Sequence, residues 1–169
     1  MASPTPSSPL LPVAARSGIA FGIILMALSS ARLLGIYISP LFFFLYLGML
    51  FFVPYMAYRG AAGYRAYYYP AGDFSFRQGF SFVVLLHACG GILALIPQYF
   101  YFRHALPPLL DGLQESLRTM NIQGKADLLQ TFEEMRAISV GQWLWSDYCL
   151  TILLGAVWGI VVGLILRRK

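Results

Sequence analysis

Charge is what this sequence has least of. Only 11% of its 169 residues are charged and 59% are hydrophobic, where a soluble domain carries about 25% charged residues. With a mean hydropathy of +0.67, that scarcity excludes a water-soluble fold. Cysteine is almost as rare. Cys89 and Cys149 fall in different apolar runs, and with no CxxC or Cys/His ligand set the chain offers neither a disulfide framework nor a zinc site. A nucleophile with a partnering base is also missing. Cys89 and His87 are two residues apart, and such positions do not face each other on a helix. No enzyme, metal or cofactor is therefore expected. The net charge of +5 lacks the basic stripe that nucleic-acid binding needs, so nucleic acid is not an expected partner.

What the chain has instead is apolar length. Four runs, at about 17–38, 40–58, 79–102 and 140–166, each meet the roughly 20 residues that a hydrocarbon core about 30 Å thick demands of a helix. No fifth run remains. The expected fold is all-α, an integral membrane bundle of four transmembrane helices, with residues 17–169 as one membrane domain. Residues 1–16 begin with MASPTPSSPLLP, a Pro- and Ser-rich stretch expected to be a disordered cytoplasmic tail.

Orientation follows from the basic residues beside the spans. Arg16, Arg59, Arg65, Arg77, Arg167, Arg168 and Lys169 share one side, where Asp73 is the one acid. The 103–139 connection mixes Arg103, Arg118, Lys125 and Arg136 with Asp111, Glu115, Asp127, Glu133 and Glu134. Both termini are therefore expected in the cytoplasm. A cleaved signal peptide ending at Ser29-Ser30-Ala31 is the competing reading of the start. The apolar run resumes at Leu33-Leu34-Gly35-Ile36, which favours an uncleaved span.

The 103–139 connection has a pattern of its own. Pro107-Pro108 opens LLDGLQESLRTM, with Leu109 or Leu110, Leu113, Leu117 and Met120 at helical spacing. ADLLQTFEEMRAIS repeats it through Leu128, Phe132 and Met135. Two short amphipathic helices are expected, capping the bundle, lying on lipid or receiving a partner.

Within the spans, small and polar residues stand out. Gly155, Gly159 and Gly163 recur at i, i+4 and i+8, with Gly18 and Gly22 as a smaller counterpart. Such faces let two backbones approach closely, which is how helices associate in lipid. Intramembrane ionisable residues are functional candidates. Arg32 and Asp147 both lie some 9–11 Å inside the outer ends of their spans at 1.5 Å per residue, a candidate ion pair. The alternative has both snorkelling to an interface marked by Trp143, Trp145 and Tyr148. His87 is the deepest ionisable group and the candidate intramembrane polar site. At the start of the third span, Ser75-Phe76-Arg77-Gln78 has the capping-box form. Ser75 and Gln78 are expected to cap the helix and Arg77 to anchor it among anionic headgroups. Phe74, Phe76 and Tyr67 to Tyr69 suit the same headgroup zone.

The Arg-rich AYRGAAGYRA followed by FSFRQGF resembles a bacterial membrane family called domain of unknown function 4199. Further matching stretches are 99–108, 111–136 and GAVWGIVVGLILRRK, and the likeness runs from residue 18 to the C-terminus. The resemblance implies four spans, a partly helical acidic connection between the last two, and an inner-membrane protein of the Bacteroidetes type. It implies no activity or catalytic residue. The expected function is a non-enzymatic multi-pass protein, an assembly or accessory component in the lipid bilayer that packs as a homo-oligomer or within a larger membrane complex. The alternative is a small oligomeric transporter or channel. Convergence of His87, Arg32 and Asp147 on one cavity would favour transport; glycines turned to lipid would favour assembly.

Overall fold

The computed structural model describes residues 10–70, 73–120 and 125–167. Helices α1 (Leu10–Tyr37) and α2 (Leu41–Tyr68) form a tight hairpin; α3 (Phe76–Phe100) returns beside them. A π-helical turn (Tyr101–Ala105) runs directly into α4 (Leu106–Thr119), then α5 (Lys125–Ala137) and α6 (Val140–Leu166) follow. Four helical segments are long and apolar enough to cross a membrane: α1, α2, α6 and the continuous run Phe76–Thr119. Phe44, Phe51, Ile92, Leu153 and Ile165 are among the many large apolar side chains left exposed. In water that surface would be prohibitive; in lipid it is the solvated surface.

The helix α3 sits at the centre because both of its flanks carry glycine. On one flank Gly90 meets Gly18 and Gly22 of α1: a Cβ at Gly90 would stand 3.1 Å from the Gly18 carbonyl oxygen and 3.1 Å from the Gly22 nitrogen. On the other flank the three glycines of α6 receive α3 side chains one by one, Gly155 taking His87, Gly159 Phe80 and Gly163 Phe76. Gly79 lies against Gly163 itself, a Cβ there falling 3.1 Å from the Gly163 Cα. Lipid tails are as apolar as leucine, so van der Waals contact at this range supplies the attraction between spans. Both glycine seams close inside the chain.

Several boundaries differ from those expected from sequence. Residues 10–16, assigned to a disordered tail, are helical, and Ala14 is fully buried; residues 1–9 lie outside the described residues. The Arg-rich stretch after Tyr58 is not a loop but the last third of α2. Ala61 and Tyr64 are buried there, and the Tyr64 ring stacks on Phe82 of α3 at 4.8 Å, so packing overrides its Gly and Arg content. Phe74, placed among headgroup aromatics, is completely buried against Tyr64 and Tyr69. Ser29-Ser30-Ala31 lies within unbroken helix, where the Ser30 hydroxyl donates to the Met26 carbonyl at 2.8 Å.

The outer connection departs furthest. Pro107 and Pro108 do not start a separate helix, because α3 passes through the π turn into α4 without a break. Their rings crowd carbonyls one turn earlier and their missing N–H groups leave those carbonyls unbonded; the wider turn at Tyr101–Ala105 falls where that conflict arises. The α4–α5 pair does not cap the bundle. Among the described residues it touches the π turn and itself but not α1, α2, α3 or α6 by backbone proximity, with Arg136 paired to Asp111 across it. Of the expected stripe only Leu110 is buried, beside Gln114, while Leu113 and Met120 are exposed.

The seam geometry predicts opposite outcomes for two glycines. Gly90→Val drives a branched side chain into the α1 backbone, an overpacking expected to cost at least the usual ~1–3 kcal/mol. Gly112→Ala in α4, where a Cβ would meet nothing within 4 Å, is expected to gain up to about 1 kcal/mol from helix propensity. Thermal unfolding in detergent of the two variants checks both signs.

Candidate functional site

A cavity of about 380 Å³ lies among α1, α2, α3 and α6. Its walls are apolar: Leu25 and Leu28 from α1, Leu50 and Val53 from α2, Ala94 from α3, Leu150, Leu154 and Trp158 from α6. Its polar groups come from all four helices and include Ser29, Arg32, Tyr46, His87, Gln98, Asp147 and Thr151. Leu50, Leu150 and Leu154 are exposed on their outer sides, so the cavity opens sideways between α2 and α6.

His87 forms the deep wall. It is 2% exposed, held edge-on to Phe21 at 4.7 Å between ring centroids and pressed against Gly155. Its Nδ1–H donates to the Val83 carbonyl at 2.9 Å, which fixes the tautomer and leaves Nε2 as an acceptor. Nε2 is buried and has no partner among the described residues. A buried acceptor left unmade carries a desolvation penalty of about 1–3 kcal/mol.

Arg32 and Asp147 lie nearer the end of the bundle where α1 stops and α6 starts, about 8 Å and about 10 Å along their helices from those termini. They line the same cavity, but the ion pair expected between them does not close. The guanidinium lies instead over the Tyr101 ring, 3.8 Å from its centroid. Asp147 faces the Gln98 amide and feels the Arg32 charge without contact. The reason is the π turn: Tyr101, buried with Phe102 and Ala105 against Leu33, Ile36 and Trp143, puts an aromatic face where Arg32 arrives. Tyr101 and Gln98 were invisible as site residues in the sequence, because nothing local says which helix faces Arg32 and Asp147 across the bundle. Of the three aromatics expected to mark the interface, Trp145 and Tyr148 lie with ring centroids 6.2 Å apart. Trp143 stacks on Phe102 at 5.5 Å, and Tyr148 donates from its hydroxyl to the Ala88 carbonyl at 3.0 Å; Trp145 alone of the three is exposed.

At the opposite end, Ser75 accepts from the Gln78 N–H at 3.3 Å while Gln78 Oε1 accepts from the Ser75 N–H at 2.7 Å. Both hydrogen bonds of a capping box are thus present, and Arg77 is exposed beside them. Ser139 and Gln142 make the same box at the start of α6, a Ser-x-x-Gln repeat of the same signal that the sequence reading passed over. Gly18, Gly22, Gly155, Gly159 and Gly163 are taken up in the seams around α3 and line no polar site.

Four apolar spanning helices closed around a partly polar cavity define a helical multi-pass membrane protein. Residues 16–168 match the family model described as Protein of unknown function (DUF4199); the chain belongs to that family. Neither a curated protein nor a solved structure matches.

The Arg32–Tyr101 stack predicts measurable coupling. In a double-mutant cycle of Arg32→Ala and Tyr101→Leu, the interaction energy read from detergent unfolding is expected at about 0.5–2 kcal/mol, the range for a cation over an aromatic face. Strict additivity would show that Arg32 gains nothing from the ring.

Proposed function

We propose that this protein is a non-enzymatic multi-pass protein of the bacterial inner membrane, with both termini cytoplasmic, that binds a small amphiphilic solute within its bundle as a carrier. One observation supports this reading above the rest: Arg32, Asp147 and His87, from three different helices, line one cavity with apolar walls. The solute's polar end meets Arg32, Gln98 and Asp147, two opposite charges that do not neutralise each other by contact. Its apolar body lies along Leu25, Leu28, Leu154 and Trp158. Lateral opening between α2 and α6 suits a compound that partitions into lipid. Assembly through a glycine face has less support, because the glycines that would drive it are occupied within the chain.

A different observation favours a second role, attachment to a partner. Among the described residues the α4–α5 pair makes no close backbone approach to α1, α2, α3 or α6, and it exposes Leu109, Leu113, Met120 and Leu128. That reading concerns the outer pair alone and is compatible with the cavity.

The carrier reading predicts where water reaches. In a Cys89→Ala/Cys149→Ala background, Ser29→Cys lines the cavity beside Arg32, whereas Leu153→Cys, 62% exposed on α6, faces lipid. Membrane-permeant N-ethylmaleimide, which reaches both sites through lipid but reacts only where water lets a thiol ionise, is expected to modify Ser29→Cys and leave Leu153→Cys unmodified. Equal inertness of both would sink the carrier reading.

A further inference from the structure

A second cavity, of about 500 Å³, lies at the other end of the bundle between α1 and α2. It is lined by Arg16 and Ser17 from α1 and by Arg59, Gly63, Tyr67 and Tyr68 from α2, among others. Two guanidinium groups from different helices therefore face one cleft. The ion pairs among the described residues are Glu115–Arg118 and Asp111–Arg136, both in the α4–α5 pair, so no carboxylate of the described residues pairs with Arg16 or Arg59. A Cβ at Gly63 would meet nothing within 4 Å; the α2 wall is open at that point.

The level of the cleft identifies what it meets. Arg16 lies 21 residues before the end of α1 at Tyr37, and Arg59 lies 18 residues after the start of α2 at Leu41. At 1.5 Å per residue these are about 31 Å and about 27 Å from the paired ends of the hairpin. A hydrocarbon core is about 30 Å thick. With that hairpin end at one interface, both arginines stand where the opposite layer of lipid phosphates lies. Tyrosine hydroxyls beside them belong at the same level. Guanidinium forks match a phosphate's oxygens two at a time, with geometry that a lysine ammonium lacks.

We propose that the Arg16–Arg59 cleft is a phosphate-binding site, filled by the headgroup of an anionic phospholipid or by a soluble phosphate. The phosphate sits between the two guanidinium groups and bridges α1 to α2, with the hydroxyls of Ser17 and Tyr67 completing its hydrogen bonds.

Native mass spectrometry of the full chain, loaded with phosphatidylglycerol or phosphatidylcholine, separates the outcomes. Preferential retention of phosphatidylglycerol is expected, falling about 30-fold in Arg16→Gln/Arg59→Gln. That figure compounds about a fivefold loss for each basic residue at an anionic surface. The single variants should each lose about fivefold, which keeps the test intact if the double variant does not fold. Arg103→Gln, exposed in the π turn at the other end of the bundle, should retain lipid as the unmodified protein does. If no lipid is retained but inorganic phosphate raises the unfolding temperature, and the two glutamines abolish that rise, the site stands with a soluble source. Lipid retention unchanged by both glutamines, equal loss in Arg103→Gln, or no response to either probe would overturn it.

Discussion

The close approach of α3 to its two neighbours is the constraint on which the rest of this bundle depends. In lipid no solvent drives apolar helices together, so the attraction must come from contact at short range. Gly18 and Gly22 against Gly90 bring α1 and α3 backbone to backbone, and the α6 glycines accept Phe76, Phe80 and His87 as knobs. With α1 and α6 drawn onto opposite flanks of α3, the fourth helix cannot approach equally closely. The helix α2 pairs with α1 through the tight 37–41 link, where Phe43 packs on Gly35, and meets α6 only loosely. The cavity is the space that this unequal packing leaves.

The same arrangement explains why His87 can be so deep. Gly155 removes the side chain that would otherwise occupy its place, and Val83, one turn back on its own helix, takes the Nδ1 proton. Half of the imidazole is thus satisfied locally at no cost to helix packing. Thr151, on the same cavity, has its own hydroxyl committed to the Asp147 carbonyl at 3.0 Å. His87 and Thr151 are therefore bonded to their own helices first. What they leave free is a small set of acceptors and charges on an apolar wall, the makeup common to small-molecule sites.

How much of this was legible depended on whether the signal was local. Ser75-x-x-Gln78 could be read because a capping box is closed by residues three apart, and the spacing of Gly155, Gly159 and Gly163 specified a helical face whatever lay opposite. The spans, likewise, follow from apolar length alone. Non-local facts were not available. Residues 59–68 carry the Gly and Arg of a loop, and only the burial of Ala61 and Tyr64 against α3 makes them helix. The Leu109–Met120 spacing announced an apolar stripe without saying what it faces. Arg32 and Asp147 line one cavity, as a count along two helices could suggest. The Tyr101 ring over which Arg32 lies could not be read, because it depends on how α3 is set against α1, which no local pattern records.

That turn also decides how the charges near the end of the cavity are held. A charge within a spanning segment costs about 2.5–3.5 kcal/mol at the centre on insertion scales, and less toward an interface. An aromatic face offers a desolvated cation about 2 kcal/mol. The Tyr101 ring under Arg32 thus offsets most of the cost of that guanidinium without consuming a carboxylate. Asp147 lines the same cavity and forms no ion pair with Arg32 among the described residues. Had the two closed on each other, one contact would have satisfied both and left the cavity lined by leucine. Held apart, each keeps donor or acceptor capacity facing the space between α2 and α6. The π turn, by placing one ring, converts a structural ion pair into two groups still free to bind.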